Sequence, residues 1–417
     1  MPTKQEIEQA FQIFVQRYQK GQLGQAKQVG LQLISVLPNH PTILRLLGLI
    51  EITQEQYIKG LELLQQAYAI NPDDCDLCAN MGHVYAALNQ FDKSITYYEK
   101  ALDLCPDHKA SVDMLKNIKI EAEIAKINIP MQRKVHKTVK KPNQFQLSQQ
   151  QNNQPINIVY FHVDSKQPPK SFSQKTDYKS IIYNSAKVAR HFMPQCKILL
   201  YTDDATNFDE NRMSAIDQVV RCDANSEHPM YERMRLRHEY VKSDQFDADT
   251  VFVDADIIFN QDIRAVFNDN FDIGVTFRLY PIMPYNEGVI FAKKGQGAIT
   301  FHNKLLECFY QLEQEQAILE RFPQGIRAWR GGQLSLGMLI NPQVIDMLEL
   351  EYAQLQLDDM KVSLLPSEQF NFTPIRGVEY TPKQLKQKSI MHFKGDTKTD
   401  NNNIKHYIEN VLGVSWV

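Results

Sequence analysis

The sequence predicts two domains: an all-α helical repeat domain, followed by an α/β domain with a mostly parallel sheet. Three observations lead to this prediction. Prolines recur at a constant spacing near the start of the chain, at Pro38, Pro72 and Pro106. A basic stretch rich in Gln and Asn, with no acidic residue, covers residues 126–155. From residue 156 onward, short β-branched runs alternate with amphipathic helical patterns, as in sheets whose strands are joined by helices.

The proline spacing is that of the tetratricopeptide repeat, whose unit is a pair of helices. Small residues keep the same register in successive units, namely Gly48 with Gly82 and Ala67 with Ala101. Small side chains let two helices approach closely, and proline stops the second helix before the next unit begins. The sequence therefore predicts a tetratricopeptide-repeat helical domain over residues 1–125.

Both ends of this stack of repeats are atypical. The first unit, at about residues 7–38, carries Phe14 where glycine is expected, as a terminal cap would. One further helix, at about residues 109–127, is predicted to close the stack and to cover its last apolar face. Residues 126–155 lack periodicity and contain six Lys or Arg, so we interpret them as a linker. A solvated tether is favoured over a membrane-surface or nucleic-acid patch.

The overall composition is that of an ordinary globular protein, with 43% apolar residues and a formal net charge of −3. The slightly negative charge argues against a general nucleic-acid binder. No apolar run approaches the length that spans a bilayer, and the first residues lack a signal-peptide pattern, so we expect a cytoplasmic protein without a transmembrane segment. The six cysteines are scattered, and we expect reduced thiols. Cys75 and Cys78 form a CxxC motif within a helical repeat, which we interpret as structural.

The α/β domain is predicted over residues 156–417. Its first elements are, in order, a strand at 156–163, a helix at 177–192, a strand at 197–202, a helix at 230–242 and a strand at 250–253. In a parallel sheet, ligands bind at the carboxyl ends of the strands. The polar residues at the ends of the three strands are therefore expected to converge on one rim of the sheet. They are His162 to Asp164, Thr202 to Asp204, and Asp254 to Asp256.

The last of these strands delivers two aspartates one residue apart, Asp254 and Asp256. One carboxylate can bind a divalent cation while the other binds the cation's waters or a sugar hydroxyl, although an isolated Asp-x-Asp is also common in solvated turns. Far downstream, His392 opens a run in which the Gly395 backbone and the Lys398 ammonium can hold phosphate oxygens. We interpret the two aspartates and the histidine as metal ligands of a metal-diphosphate site. Such an O,O,N ligand set favours Mn²⁺, with Mg²⁺ as the second choice.

Five short blocks occur in a fixed order along this domain. They are Tyr231-Glu-Arg-Met-Arg-Leu236, Asp254-Ala-Asp256, Tyr285-Asn-Glu-Gly-Val-Ile-Phe291, Gly331-Gly-Gln333 and His392-Phe-Lys-Gly-Asp-Thr-Lys398. Together they resemble the GT-A fold glycosyltransferases of family 8, the group that contains glycogenin and the bacterial lipopolysaccharide hexosyltransferases. The resemblance spans about residues 156–398. It implies a metal-dependent enzyme that transfers a hexose from a UDP-sugar to a protein or glycan acceptor, with the helical repeats recruiting the acceptor or a partner.

The resemblance also implies residues that bind the donor. Arg233 falls where the family has an arginine that contacts the donor, although an exposed basic helix face is an alternative for it. Asn286 matches the block that lies beside the donor sugar. At the strand ends, Asp164 and Asp203 are suited to the uridine ribose and base, with His162 beside them, although ordinary turn aspartates are an equal alternative.

The catalytic residues are less settled, because the family's Asp-Gln pair corresponds to Gly332-Gln333, where the aspartate is missing. Gln333 can still hydrogen-bond the sugar but is a poor nucleophile. Glu287 stands where the family usually has a small residue. Its carboxylate could bind the donor sugar, stabilise an oxocarbenium charge, or act as a base in an inverting reaction. These roles, and the choice between retention and inversion, stay open.

Two other functions are compatible with parts of the sequence. In the first, the transferase domain is inactive and the helical repeats act as a protein-interaction scaffold. The missing carboxylate at Gly332 favours this alternative, whereas the intact metal and phosphate blocks favour the enzyme. The second is a nucleotidyltransferase, which needs a glycine-rich basic loop after the first strand, and residues 164–169 do not supply one.

Overall fold

The computed structural model describes residues 3–54, 56–88, 90–126, 133–136, 152–164, 176–277, 285–327, 330–340, 353–374, 380–393 and 402–417. Among these residues, the N-terminal region consists of seven helices. They are α1 (Lys4–Gln19), α2 (Leu23–Val36), α3 (Pro41–Thr53), α4 (Tyr57–Ile70), α5 (Cys75–Ala87), α6 (Phe91–Leu104) and α7 (Lys109–Lys126). The first six helices pack as three consecutive pairs, and α7 packs against α6. The predicted repeats and the predicted closing helix are therefore confirmed.

Small residues set the distance between paired helices, as the repeat pattern predicts. A Cβ atom on Gly82 of α5 would lie 2.9 Å from the ring of Tyr98 on α6. A Cβ atom on Gly48 of α3 would lie 3.1 Å from the carbonyl oxygen of Gly60 on α4. These separations leave no room for a larger side chain, because carbon atoms pack at about 3.5–4.0 Å.

The cysteines differ from the sequence-based expectation. Cys75 at the start of α5 and Cys105 just after α6 form a disulfide, with their Cα atoms 6.1 Å apart. The expectation of reduced thiols is therefore wrong for this pair, since the two residues lie 30 positions apart and meet only when the helix pair forms. The remaining cysteines, Cys78, Cys196, Cys222 and Cys308, take no part in this disulfide. Cys78 is buried within the repeat, as a structural residue would be.

The C-terminal region is an α/β domain. Its strands are β2 (Asn157–Phe161), β3 (Lys197–Thr202), β4 (Gln218–Arg221), β5 (Thr250–Val253), β6 (Ile257–Phe259), β7 (Ile273–Phe277), β8 (Tyr285–Ala292), β9 (Ala353–Leu357), β10 (Met360–Pro366) and β11 (Ile390–His392). Its helices are α8 (Tyr178–Phe192), α9 (Pro229–Val241), α10 (Gln296–Gln314), α11 (Gln316–Arg321), α12 (Gly331–Ile340), α13 (Ser367–Phe370), α14 (Pro382–Lys386) and α15 (Asn402–His406). The five elements predicted from the sequence are all present, with bounds close to those expected.

Within the part of the chain that the structure describes, nine strands form one sheet, in the order β1-β9-β10-β7-β8-β5-β2-β3-β4, where β1 is Arg133–His136. The strands β5, β2, β3 and β4 are mutually parallel, and β7 and β10 are parallel to each other. The strand β8 is antiparallel to both β5 and β7, so these two groups run in the same direction. The prediction of a mostly parallel sheet is confirmed, and β8 is the antiparallel strand at its centre.

The segment predicted as a linker differs from expectation in its described part. Residues 133–136 form β1, which pairs antiparallel with β9 at the edge of the sheet. Short edge strands rich in Lys and Arg are common because the charges discourage pairing with other chains, and Arg-Lys-Val-His fits that pattern. A basic composition is therefore compatible with an edge strand as well as with a tether.

Two apolar layers cover the two faces of the sheet. On one face, residues of α9, α10 and α12 pack against strands at the centre of the sheet, with Tyr240, Phe252 and Phe309 among the buried side chains. On the other face, α8 packs against the sheet together with the two-stranded sheet of β6 and β11. Within the described residues, no helix combines the length and the apolar character needed to cross a membrane.

The last helix of the repeats also contacts the α/β domain, because α7 packs against α11 and α12. Glu121 of α7 is buried at this junction, with 5% of its surface exposed. Burial raises the pKa of its carboxyl to about 7, and the positive charges of Arg321 and Arg330 oppose that rise only in part. The buried carboxyl group of Glu121 thus lies where α7 of the first domain meets α11 and α12 of the second.

Candidate functional site

The site lies at the carboxyl end of β5, where the chain turns from β5 into β6. Asp254 follows β5 directly, and Asp256 precedes β6. The strand β11 pairs antiparallel with β6, with His392 opposite Ile257. The Phe393 amide also donates to the Asp256 carbonyl at 3.0 Å. This pairing brings His392 beside the two aspartates from a distant part of the chain.

The three predicted metal ligands therefore lie together. One ligand atom from each of Asp254, Asp256 and His392 falls within 4.8 Å of the other two. The His392 Nε2 atom lies 3.0 Å from Asp256 Oδ1 and 3.9 Å from Asp254 Oδ2. Asp256 and His392 are 5% and 3% exposed, so this Asp-x-Asp differs from a solvated turn. Two carboxylates and an imidazole at these separations form a donor set that fits a divalent cation.

The orientation of His392 is fixed by a chain of buried polar groups. Its Nδ1 atom lies 2.7 Å from Asn371 Oδ1, and Asn371 Nδ2 donates to Thr276 Oγ1 at 2.9 Å. Thr276 Oγ1 in turn donates to the Asn286 carbonyl at 3.1 Å. Because the Asn371 amide nitrogen is the group that faces Thr276, its oxygen accepts a hydrogen bond from His392 Nδ1–H. With Nδ1 engaged in this way, the ring turns Nε2 toward the two carboxylates, where a divalent cation would take the Nε2 lone pair, as in other metal-binding histidines.

Gly288 on β8 makes room for these ligands. A Cβ atom at this position would lie 2.6 Å from His392 Cε1 and 3.0 Å from Asp254 Oδ2. It would also lie 2.8 Å from Asn286 Oδ1, which accepts a hydrogen bond from the Gly288 amide at 2.7 Å. The predicted donor-binding side chain of Asn286 is thus already engaged through its oxygen, and it shapes the strand beside the metal ligands.

Arg233 on α9 joins two carboxylates. Its Nη1 donates to Asp254 Oδ1, and its Nη2 donates to Glu287 Oε2 at 2.9 Å. The Arg233 side chain is 9% exposed, so the alternative of an exposed basic face is wrong for this residue. Burial alone would raise the pKa of Asp254, but Arg233 and His392 outweigh it and hold that pKa below its ordinary value.

A second arginine, Arg237, lies one helical turn further along α9. Its Nη2 donates to the Glu287 carbonyl at 3.0 Å, and its guanidinium lies 5.6 Å from the centre of the Phe252 ring. Burial, together with the charge of Arg233, lowers the pKa of Arg237 to about 10. Arg233 therefore holds the Glu287 side chain while Arg237 holds its backbone.

The two positions that depart from the family pattern, Glu287 and Gly332, meet in space. Glu287 is 3% exposed. A Cβ atom on Gly332, in the first turn of α12, would lie well inside van der Waals distance of both Glu287 carboxylate oxygens. Gln333, the other predicted catalytic residue, follows in the same turn and is partly exposed. The Glu287 carboxylate thus fills the place of the side chain that position 332 lacks.

The predicted nucleotide-binding residues after β2 and β3 also lie at the same rim, as the parallel sheet requires. The Asp164 amide donates to Thr206 Oγ1 at 2.9 Å, which ties the two strand ends together. A hydrogen bond from His162 and an ion pair with Lys179 lower the pKa of Asp164 to about 2. Asp203 is 8% exposed, and its Oδ1 accepts from the Thr206 amide at 2.9 Å.

These contacts show that Asp164 and Asp203 have different surroundings. Asp164 is exposed and remains accessible to a nucleotide, whereas the Asp203 side chain stabilises its own turn, as the turn-aspartate alternative requires. Gly395 and Lys398 lie outside the described residues.

Several site residues were missed by the sequence prediction. Asn371 and Thr276 belong to no recognised block, and their hydrogen bonds to the site exist only after three distant strands have assembled. Arg237 carried a usable signal, because residues four positions apart share one face of a helix and Arg233 was already a predicted site residue.

Residues 75–108 match the tetratricopeptide repeat family model, which confirms the repeat prediction for that segment. No curated protein sequence is significantly similar to the chain. Three solved structures illustrate what the chain resembles. The O-GlcNAc transferase of Thermobaculum terrenum is 16% identical over 57% of this chain and 45% of that one, with a TM-score of 0.28. The first TPR domain of Spaghetti (RPAP3), bound to an HSP90 peptide, is 15% identical over 29% and 96%, with a TM-score of 0.28. MamA of Desulfovibrio magneticus RS-1 is 23% identical over 29% and 68%, with a TM-score of 0.27.

Proposed function

We propose that the C-terminal domain is a metal-dependent glycosyltransferase of the GT-A type, which transfers a hexose from a UDP-sugar. The observation that carries this proposal is the cluster of Asp254, Asp256 and His392 at the carboxyl edge of the sheet, with Arg233 beside it. In α/β sheets this edge is where ligands bind.

The charges of the cluster support a diphosphate ligand. The cluster contains three carboxylates, those of Asp254, Asp256 and Glu287, and two guanidinium groups, those of Arg233 and Arg237. With His392 neutral, as a metal ligand is, the cluster carries one excess negative charge, which would repel a diphosphate. A divalent cation would reverse the sign of that charge and so create a site for an anion.

The donor set identifies the residues that would hold the cation. Asp254, Asp256 and His392 offer two oxygens and one nitrogen, which suits Mn²⁺, with Mg²⁺ as the second choice. A bound cation would supply positive charge against the departing diphosphate. Gly395 and Lys398 are proposed to contact the diphosphate oxygens that the cation leaves uncovered.

The chain's own residues have distinct proposed roles around the donor. Arg233 holds Asp254 and Glu287 in place while contributing positive charge. His162 and Asp164 offer polar groups to the uridine at the end of β2. Glu287 and Gln333 face the reacting sugar, and the presence of the Glu287 carboxylate beside Gly332 supports an active enzyme over an inactive scaffold.

The helical repeats are proposed to recruit the acceptor, a protein or a glycan, or a protein partner. Stacked helix pairs form an extended surface that a nucleotide sugar does not need. No nucleic acid is proposed as a ligand, and a cytoplasmic location stays a prediction.

Calorimetric titration of UDP into the full chain tests this function. We expect UDP to bind with Mn²⁺ present and to bind at least about tenfold more weakly with a chelator, because the carboxylates repel the diphosphate without the cation. Asp256→Asn should remove the effect of Mn²⁺. Asp244→Asn, at an exposed position of the same domain, is the matched control and should bind as wild type does. Equal UDP affinity with Mn²⁺ and with chelator would refute the site.

A further inference from the structure

Glu287 and Gly332 compete for one volume. The carboxylate of Glu287 on β8 occupies the space that any side chain on Gly332 would need, since a Cβ atom there would overlap both carboxylate oxygens. The backbone at Gly332 is helical, so glycine is not required there for its conformation. The space taken by Glu287 is thus a sufficient reason for a glycine in the first turn of α12.

Glu287 is held in this position from two sides. Its Oε2 accepts from Arg233 Nη2 at 2.9 Å, and its backbone carbonyl accepts from Arg237 Nη2 at 3.0 Å. Its Oε1 is buried and has no hydrogen-bond partner among the described residues. A buried carboxylate oxygen without a hydrogen-bond donor destabilises the folded chain. A ligand that brings a hydroxyl group or positive charge to Oε1 would remove this cost.

We infer that Glu287 and Gly332 form a matched pair, in which Gly332 leaves open the volume where Glu287 presents Oε1 to the reacting sugar of the donor. This inference rests on the proposed function. It assigns the carboxylate of the reacting centre to β8 rather than to α12. It also implies that either position 287 or position 332 can supply this carboxylate. A carboxylate carried by residue 332 would enter the same volume once Glu287 is shortened.

The chemical step consumes no reactant other than the donor and the acceptor. The bond between the anomeric carbon and the diphosphate oxygen breaks, and its electron pair leaves with UDP. An acceptor hydroxyl oxygen, or water in hydrolysis, bonds to the anomeric carbon and releases its proton to solvent. The negative charge of Oε1 stabilises the positive charge that develops on the sugar ring, an effect typically about a hundredfold or more in rate.

A cycle of stability measurements tests the pair independently of any reaction. Gly332→Ala should lower the unfolding midpoint by about 3 °C or more in wild type, because the new Cβ atom overlaps the carboxylate. The same change in a Glu287→Ala background should cost less than about 1 °C, because the volume is then free. Gly337→Ala, on the same helix with nothing within 4 Å of the new atom, is the matched control and should be neutral or stabilising in both backgrounds.

Hydrolysis of UDP-glucose in the presence of Mn²⁺ tests the role of Oε1. Glu287→Gln should lose about a hundredfold in rate while its UDP affinity stays within about threefold of wild type. The double variant Glu287→Ala with Gly332→Asp should hydrolyse UDP-glucose at least about tenfold faster than Glu287→Ala alone. Replacing the aspartate of that double variant by asparagine, as Gly332→Asn, should abolish the gain.

The outcomes separate this inference from the proposed function. Equal costs of Gly332→Ala in both backgrounds would overturn the pair. Unchanged hydrolysis in Glu287→Gln, no hydrolysis by wild type, or equal rates for the aspartate and asparagine double variants would overturn the role of Oε1. Failure of wild type to bind UDP in an Mn²⁺-dependent way would count against the proposed function, while the stability cycle would still decide whether the two positions are matched.

Discussion

The contacts that hold the helical repeats join residues that are close in the sequence, whereas the contacts at the rim of the sheet join residues that are far apart in it. Gly82 and Tyr98, which set the contact of one helix pair, lie on the consecutive helices α5 and α6. Asp254 and His392, which meet at the rim, are separated in the sequence by the described strands β6 to β10 and the described helices α10 to α14 of the α/β domain. A repeat therefore depends on its own sequence and its neighbours, whereas the rim depends on the whole α/β domain. The difference predicts that substitutions in the repeats act locally, and that substitutions at the rim affect folding and binding together.

The largest effect is expected at Arg233, which pairs with Asp254 and Glu287 from different strands. Arg233→Met would leave two carboxylates without the guanidinium group that pairs with both, and breaking a buried ion pair of this kind costs about 3–5 kcal/mol. We expect that loss in the free energy of unfolding of the full chain, measured by urea denaturation. Arg235→Met, on the same helix, removes a partly exposed arginine paired with Glu232 and Glu239, and should cost less than about 1 kcal/mol. Equal costs for the two variants would contradict the central role of Arg233.

A substitution in the repeats should be nearly as costly but confined to its helix pair. Gly82→Ala forces a methyl group against the Tyr98 ring, and overpacking of this kind costs about 1–3 kcal/mol. Gly24→Ala, on α2 with nothing within 4 Å, should be neutral or stabilising. Neither variant should change the Mn²⁺-dependent affinity for UDP, measured by calorimetry. A loss of UDP binding in Gly82→Ala would show that the repeats and the rim are not independent.

Asn371 supports the proposed metal ligand His392 without being a ligand itself. Asn371 contacts His392 Nδ1, whereas Nε2 is the atom that faces the aspartates. Asn371 can therefore affect cation binding only by fixing the tautomer and the direction of the His392 ring. Asn371→Leu should weaken Mn²⁺ binding to the full chain by about 10–100-fold, the range typical for a lost partner of a metal-binding histidine. Asn371→Asp keeps an oxygen acceptor and should retain most of the affinity. If both variants bind Mn²⁺ equally well, Asn371 has no positioning role.

The same contrast in sequence distance explains what could be predicted from the sequence. The helix pairs follow from the constant spacing of Pro38, Pro72 and Pro106, and the strands β3 and β5 were predicted at their observed bounds because short β-branched runs encode them locally. The meeting of Asp254 and Asp256 with a distant His392 could be anticipated only because the residues form recognisable blocks.

Contacts outside such blocks, and contacts between residues that depart from the pattern of their block, could not be predicted. The Cys75–Cys105 disulfide, the Asn371–His392 hydrogen bond and the meeting of Glu287 with Gly332 each join residues whose proximity depends on tertiary packing. Residues 133–136 were interpreted as part of a tether because so short an edge strand carries too little pattern to be recognised.

The smallest effect is expected where the two regions meet, at Glu121 of α7. Its pKa is about 7 in the folded chain against 4.5 for the free group, so the folded state binds more protons than the unfolded state between these values. The penalty for burying the charge is therefore absent below about pH 4.5, grows as the pH rises, and is complete above about pH 7. We expect Glu121→Gln to stabilise the chain at pH 8 by on the order of 1 kcal/mol relative to wild type, because local undocking of α7 limits the penalty. At about pH 4 the variant should have almost no effect, because the carboxyl group is then protonated in both the folded and the unfolded state. Glu123→Gln, at an exposed position of the same helix, is the matched control and should show the wild-type dependence on pH. Denaturant unfolding at the two pH values measures both variants, and a Glu121→Gln effect that is equal at about pH 4 and pH 8 would show that this carboxyl group does not titrate at the junction.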